Sequence, residues 1–158
     1  MEISGRYLAY ILKEYERWTL VLSEKQLPYL GRCYAWWKDK TPGEGENMPF
    51  GNLPDDALIE LRKISNDLSG ALWALGYQTT LYGREFLLNT AYLANEPVHN
   101  HHMHVHFIPR TRIPVKRFGL TAHDPNWGSN YSNPPGGQQE LPHHKLLQIR
   151  EELARYMV

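Results

Sequence analysis

One short run constrains this chain more than any other. Residues 98–110 read Val98-His99-Asn100-His101-His102-Met103-His104-Val105-His106-Phe107-Ile108-Pro109-Arg110 and hold five of the protein's eight histidines. From His102 onward, histidine alternates with an apolar residue until the run closes on Phe107 and Ile108. A strand sends successive side chains to opposite faces, so His102, His104 and His106 share one face and Met103, Val105 and Phe107 the other. Neighbouring histidines on that face then stand roughly 6.5–7 Å apart. Pro109 has no backbone donor and is expected to end the pairing of the strand. The expected element is a buried strand with a row of imidazoles on its open side.

Three chemistries fit such a row. The histidines can be structural, each satisfied by a local hydrogen bond, although histidine is a poor choice three times on one face unless its proton chemistry is wanted. Two histidines at i and i+2 of a strand can share a zinc ion. One imidazole can act as a nucleophile while its neighbours orient it and hold the developing oxyanion. A purification tag is excluded by the position of the run and by its interleaved apolar residues.

The segment His102-Met103-His104-Val105-His106-Phe107-Ile108 resembles the signature of the histidine triad family, His-φ-His-φ-His-φ-φ with φ apolar, and Pro109-Arg110 follows as in many members. Residues 89–95, Asn89-Thr90-Ala91-Tyr92-Leu93-Ala94-Asn95, are similar to the strand that leads to the triad in bacterial members of the diadenosine polyphosphate hydrolase type. The resemblance implies a nucleotide hydrolase or nucleotidyl transferase that acts at an α-phosphorus through a covalent nucleotidyl-histidine, on dinucleoside polyphosphates or related nucleotide conjugates. The alternative is a non-catalytic nucleotide-binding module, or a metal-binding module with the triad histidines as ligands; zinc analysis of the pure protein separates these.

At 158 residues the chain suits a single domain, residues 1–158, with a core over about 15–110 and a C-terminal loop and helix over 111–158. Its 17 basic and 17 acidic residues balance, so no global field draws it to nucleic acid or to a membrane surface. A hydrophobic content of 42% with five tryptophans indicates a folded globule. Cys33 is the lone cysteine, which precludes an intramolecular disulfide, fits a reducing compartment, and in its apolar setting reads as an inert buried thiol. No apolar stretch approaches ~18 residues, and the N-terminal residues lack a signal-peptide pattern. A cytoplasmic location is expected.

Taken in order, residues 7–15 place Leu8, Ile11, Leu12 and Tyr15 at helical spacing and predict a short amphipathic helix. Residues 18–22 and 31–38 read as the two strands of a hairpin, separated by a turn around Pro28 and Gly31. Residues 41–52 are rich in glycine and proline and predict an exposed loop. The clearest helix follows, with Pro54 at its first position, Asp55 and Asp56 at the positive end of its dipole, and a core stripe of Leu58, Leu61, Ile64, Leu68, Leu72 and Leu75 ended by Gly76. Residues 77–81 and 86–93 are strand-like. The sum is an α+β domain, an antiparallel sheet of about five strands with the long helix packed on it and a C-terminal helix; the resemblance implies the same architecture.

Beyond the triad the pattern weakens. Asp124-Pro125-Asn126-Trp127-Gly128-Ser129-Asn130-Tyr131 is similar to an Asp-X-X-Phe/Trp-Gly-X-Asn-Tyr run that follows the triad in family members, and serves either as a lid or as an aromatic anchor. Pro142 is expected to open the last helix, bearing Leu146, Leu147, Leu153 and Met157, with His143 and His144 exposed at its start.

By the family's order, His104 is the nucleophile, His106 binds the phosphate oxygens and can help protonate the departing group, and His102 orients His104 through a hydrogen-bond chain. Asn95 matches a family asparagine near the ribose-phosphate. Two departures stand out: Val98 and His99 occupy the places of a Gln-Ser or Gln-Thr pair, and Lys38-Asp39-Lys40 replaces a Lys-Arg-His context. His99, Asn100 and Lys40 are therefore candidate substitutes for the missing phosphate contacts. An apolar slot for the base is expected near the first hairpin, with Leu20, Leu22 and Cys33 as candidates. The resemblance implies no cofactor for the covalent step, Mg2+ entering only with the nucleotide, a small-molecule nucleotide as the partner, and a homodimer as in part of the family.

Overall fold

The computed structural model describes residues 5–38, 50–77, 86–92, 103–129 and 137–157. A single turn of helix, α1 (Gly5–Leu8), leads into β1 (Ile11–Glu14), β2 (Trp18–Leu22), β3 (Lys25–Leu27) and β4 (Cys33–Trp37). The long helix α2 (Asp55–Ala74) follows, then β5 (Phe86–Tyr92), the histidine strand β6 (His104–Thr111), β7 (Val115–Arg117), β8 (Leu120–Ala122), β9 (Gln139–Glu140) and α3 (His143–Tyr156). Among the described residues, five strands form one antiparallel sheet in the order β1-β2-β4-β6-β5. This is the expected α+β architecture.

Cross-strand register sorts the side chains into two faces. Leu20, Ala35 and Val105 stand in line across β2, β4 and β6, as do Leu22, Cys33 and Phe107. All six are fully buried in the core beneath Leu61, Ile64, Leu68 and Leu72 of α2 and Leu146, Ile149 and Leu153 of α3. Each fully buried Leu or Phe of this layer contributes roughly 1.5–3 kcal/mol. Trp18 is sealed in the same layer, its indole N–H donating to the carbonyl of Ala57 at 3.1 Å.

The leucine stripe forms α2 much as its spacing predicts. Pro54 is the residue before the first turn, with extended backbone. At the other end, the N–H of Gly76 reaches the carbonyl of Trp73 at 2.9 Å and that of Tyr77 reaches Leu72 at 3.1 Å. That pair of bonds is a Schellman cap, and Gly76 accommodates it with φ of 92°.

The N-terminal expectation fails. Residues 11–14 are a strand, not a helix, because the period that wins is two: Tyr10 and Leu12 are buried while Leu8 is 57% exposed. β1 turns directly into β2, and the turn is held by α2: the Glu60 carboxylate accepts the backbone N–H groups of Glu16, Arg17 and Trp18 at 2.9, 2.7 and 3.1 Å. A second expectation also fails. Pro109 does not end β6, which runs on to Thr111 with Pro109 opposite Leu88 of β5. Pairing with β4 stops at Cys33 and Phe107, so beyond that point β6 is an edge on its β4 side, where proline is tolerated.

The segment joining β3 to β4 is stitched by the buried Gln26, whose side-chain amide donates to the carbonyls of Ser23 and Arg32 while its oxygen accepts from the N–H of Gly31. Gly31 has φ of 87°, and a Cβ there would strike Leu72, so only glycine turns the chain into Arg32 at this point. The weak pattern after the triad resolves into the β7–β8 hairpin and a two-residue strand, β9, which pairs with β3. Residues 50–52 form a short turn with Phe50 exposed. The expected loop over 41–49 and the strand over 78–81 lie outside the described residues.

Candidate functional site

The other face of the sheet carries the histidines. Antiparallel pairing sets His106 opposite Tyr34 and His104 opposite Trp36, so these four side chains leave the sheet on the side away from α2 and α3. The two imidazole rings lie 4.8 Å apart between centroids. Tyr34 stands edge-on to both, at 4.8 Å from His106 and 5.8 Å from His104. Trp36 lies 6.1 Å from His104, and Tyr7 of α1 leans on Trp36 at 5.5 Å. On the β5 side His106 stands opposite Ala91.

His104 is half-buried, whereas His106 is only 7% exposed. Arg32, itself 4% exposed, brings Nη2 within 3.2 Å of Nδ1 of His106. A guanidinium can only donate, so Nδ1 accepts and the ring's proton resides on Nε2. The other terminal nitrogen of Arg32, Nη1, donates to the side-chain oxygen of Gln138, just before β9. Burial, then the neighbouring His104 and the Arg32 cation, push the His106 imidazole down from 6.5 to about 3. His106 is therefore neutral at pH 7.

Beyond the imidazoles on the same strand lies Arg110, 3% exposed, whose Nε donates to the fully buried Asp124. Its Nη2 also reaches the carbonyls of Asn126 at 2.6 Å and Ser129 at 3.3 Å. Asp124 in turn accepts the N–H of Asn126 at 2.9 Å. The arginine that closes the triad signature and the aspartate that opens the Asp-Pro-Asn-Trp run are thus partners in one buried ion pair. This favours the anchor reading of that run at its start; Trp127 is half-buried, and Tyr131 lies outside the described residues.

The structure brings His104 and His106 together. His102, Asn95, His99, Asn100 and Lys40 lie outside the described residues. The proposed base slot requires a correction: Leu20, Leu22 and Cys33 are fully buried on the helix side of the sheet and cannot line a site on the opposite face. A one-residue step along a strand changes the face, and Val21, Tyr34 and Trp36 are the residues on the histidine side. Burial drives the Cys33 thiol well above its ordinary value, as an inert core thiol requires. His143 and His144 are exposed, and Nδ1 of His143 pairs with the hydroxyl of Tyr10 at 2.8 Å. Arg32 and Gln138 were not singled out from the sequence. The available signal was an arginine set inside an otherwise apolar run, Leu30 to Trp37.

Among the described residues no three His, Cys, Asp or Glu side chains gather as a metal site, and no helix is long and apolar enough to cross a membrane. No family model matches the chain and no curated protein matches its sequence. Its fold is similar to that of a hypothetical histidine triad nucleotide-binding protein of Sulfolobus tokodaii strain 7, with a TM-score of 0.57 and 18% identity over 94% of this chain and 83% of that one. The architecture is that of a histidine triad-like fold, with His104 and His106 side by side on the sheet face away from α2 and α3.

Proposed function

We propose that this protein is a histidine triad hydrolase that breaks a bond at the α-phosphorus of a nucleotide, of the diadenosine polyphosphate hydrolase type. The observation that carries the reading is the pair His104 and His106, 4.8 Å apart on the open face, one half-exposed and the other held by Arg32. The half-exposed His104 is the nucleophile. Neutral imidazole attacks near pH 7 without an auxiliary base, and the phosphoramidate it forms is readily hydrolysed. His106 presents an N–H to the phosphoryl oxygens, a contact to developing charge worth on the order of 3 kcal/mol. His102 orients His104, and Asn95, His99, Asn100 and Lys40 contact the nucleotide. The covalent step needs no cofactor; Mg2+ enters, where it enters, on the polyphosphate.

The reading is tested by His104→Ala. Hydrolysis of diadenosine tetraphosphate is expected to vanish while the far-ultraviolet circular dichroism and the urea midpoint stay close to those of the unaltered protein, because His104 is not part of the sealed core. Retained turnover in that variant would overturn the assignment.

A further inference from the structure

The C-terminal segment reaches the histidine face through one side chain, Gln138, half-buried just before β9. Its side-chain oxygen accepts from Nη1 of Arg32, and Nη2 of the same guanidinium stands 3.2 Å from Nδ1 of His106. Arginine is long and rich in rotamers, so a single bond to an imidazole selects no one arrangement of it. A guanidinium, however, presents its donors as a rigid planar fork. Fixing Nη1 therefore fixes where Nη2 points.

The same short strand secures both ends of the Arg32–Gln138 contact. β9 pairs with β3 at Lys25–Glu140 and Leu27–Gln139, and the N–H of Leu141 reaches the carbonyl of Glu24 at 3.2 Å. Gln26, in the middle of β3, clamps the backbone on the other side: its side-chain amide donates to the carbonyl of Arg32 at 3.0 Å, and its oxygen accepts the N–H of Gly31 at 2.7 Å. The guanidinium then passes over the Tyr34 ring at 5.3 Å. Among the described residues, the titratable and charged groups facing His106 are Arg32, Tyr34 and His104.

We propose that Gln138 is a positioning residue of the histidine face: it holds the Arg32 fork against Nδ1 of His106, so that the β3–β9 pair sets the orientation and the tautomer of that ring. The C-terminal segment is then part of the site and not only a cover for it. The role of this relay in turnover rests on the hydrolase reading given above; the relay itself does not.

Nitrogen NMR tests the relay without turnover. In the unaltered protein the Nη protons of Arg32 are expected as separate signals, as in a guanidinium that does not rotate, and His106 with a bare Nδ1 and a protonated Nε2 at pH 7. Gln138→Leu keeps the bulk and removes the acceptor. It is expected to merge the Arg32 signals and to leave His106 as a mixture of its two neutral tautomers. Gln138→Glu returns an acceptor oxygen at the same reach and is expected to restore both patterns, which a merely space-filling role would not. Both patterns intact in Gln138→Leu would overturn the proposal, and so would their loss in Gln138→Glu. Should Gln138→Leu fail to fold, Gln138→Asn, one methylene too short to reach Arg32, replaces it with the same two outcomes.

Activity gives the second readout. In Gln138→Leu, kcat for diadenosine tetraphosphate is expected to fall on the order of 10- to 100-fold with KM changed far less, and to recover in Gln138→Glu. An unchanged kcat in a Gln138→Leu protein whose His106 has lost its fixed tautomer would overturn the tie to the reaction. No turnover by the unaltered protein would overturn the hydrolase reading alone, and the NMR signals would still decide whether Gln138 positions His106.

Discussion

Acid sensitivity is where the geometry around His106 yields a number. In the unfolded chain this imidazole titrates near 6.5, and in the folded protein it is held down to about 3. Between those values the unfolded state binds a proton that the folded state refuses. The stability His106 lends is complete above pH 6.5 and drains away as the pH falls through that window. At pH 4.5 the loss amounts to about 2.7 kcal/mol, two units at 1.36 kcal/mol each. Replacing the residue, His106→Gln, removes the titration and leaves the carboxylates of the fold in place. Urea unfolding of both proteins at intervals from pH 7.5 to 4.5 isolates the effect. The unaltered protein is expected to lose about 2.5 kcal/mol more than the variant between pH 7 and 4.5. Any constant cost of the substitution cancels, because only the difference in slope is read. Parallel profiles would refute a neutral, desolvated His106, and a variant more acid-sensitive than the parent would reverse the argument outright.

Asp124→Ala leaves the Arg110 guanidinium buried without its carboxylate and is expected to cost about 3–5 kcal/mol in urea unfolding. The double change Arg110→Met/Asp124→Leu is expected to recover most of that loss; equal loss in both proteins would mean that the pair is not the anchor of residues 124–129. Glu60→Ala strips an acceptor from three backbone donors of the first turn and is expected to cost about 1–3 kcal/mol, with Glu60→Gln costing less. Unchanged stability in Glu60→Ala would show that water replaces the carboxylate without penalty.

The parts of this fold legible in the sequence are those whose pattern one element alone determines. Leu58, Leu61, Ile64, Leu68 and Leu72 recur at threes and fours within a helix of 20 residues, and no competing period fits them. The histidine strand is equally plain, because alternation over His104 to Phe107 admits only one face for the imidazoles. Residues 11–14 misled because four residues hold too few repeats to separate a period of two from one of three to four. The strand is decided by its pairing with β2 and by Arg150 of α3, which donates to the carbonyl of Ile11 at 2.8 Å. Pro109 misled because its tolerance depends on where β4 stops, a fact about another strand. Leu20, Leu22 and Cys33 are apolar, which says that they are buried but not on which side of the sheet. Arg32 and Gln138 are 106 positions apart, and nothing local ties them to His106. Likewise Arg110 and Asp124 each belong to a readable run, yet only the folded chain joins the two runs into one ion pair.

The central claim is that His104 takes a nucleotidyl group. Rapid acid-free quench of the protein with diadenosine tetraphosphate, followed by peptide mass spectrometry, tests it most directly. An adenylyl adduct is expected on the peptide that holds His104, absent from His104→Ala. An adduct on any other residue, or turnover with no adduct at all, would contradict it.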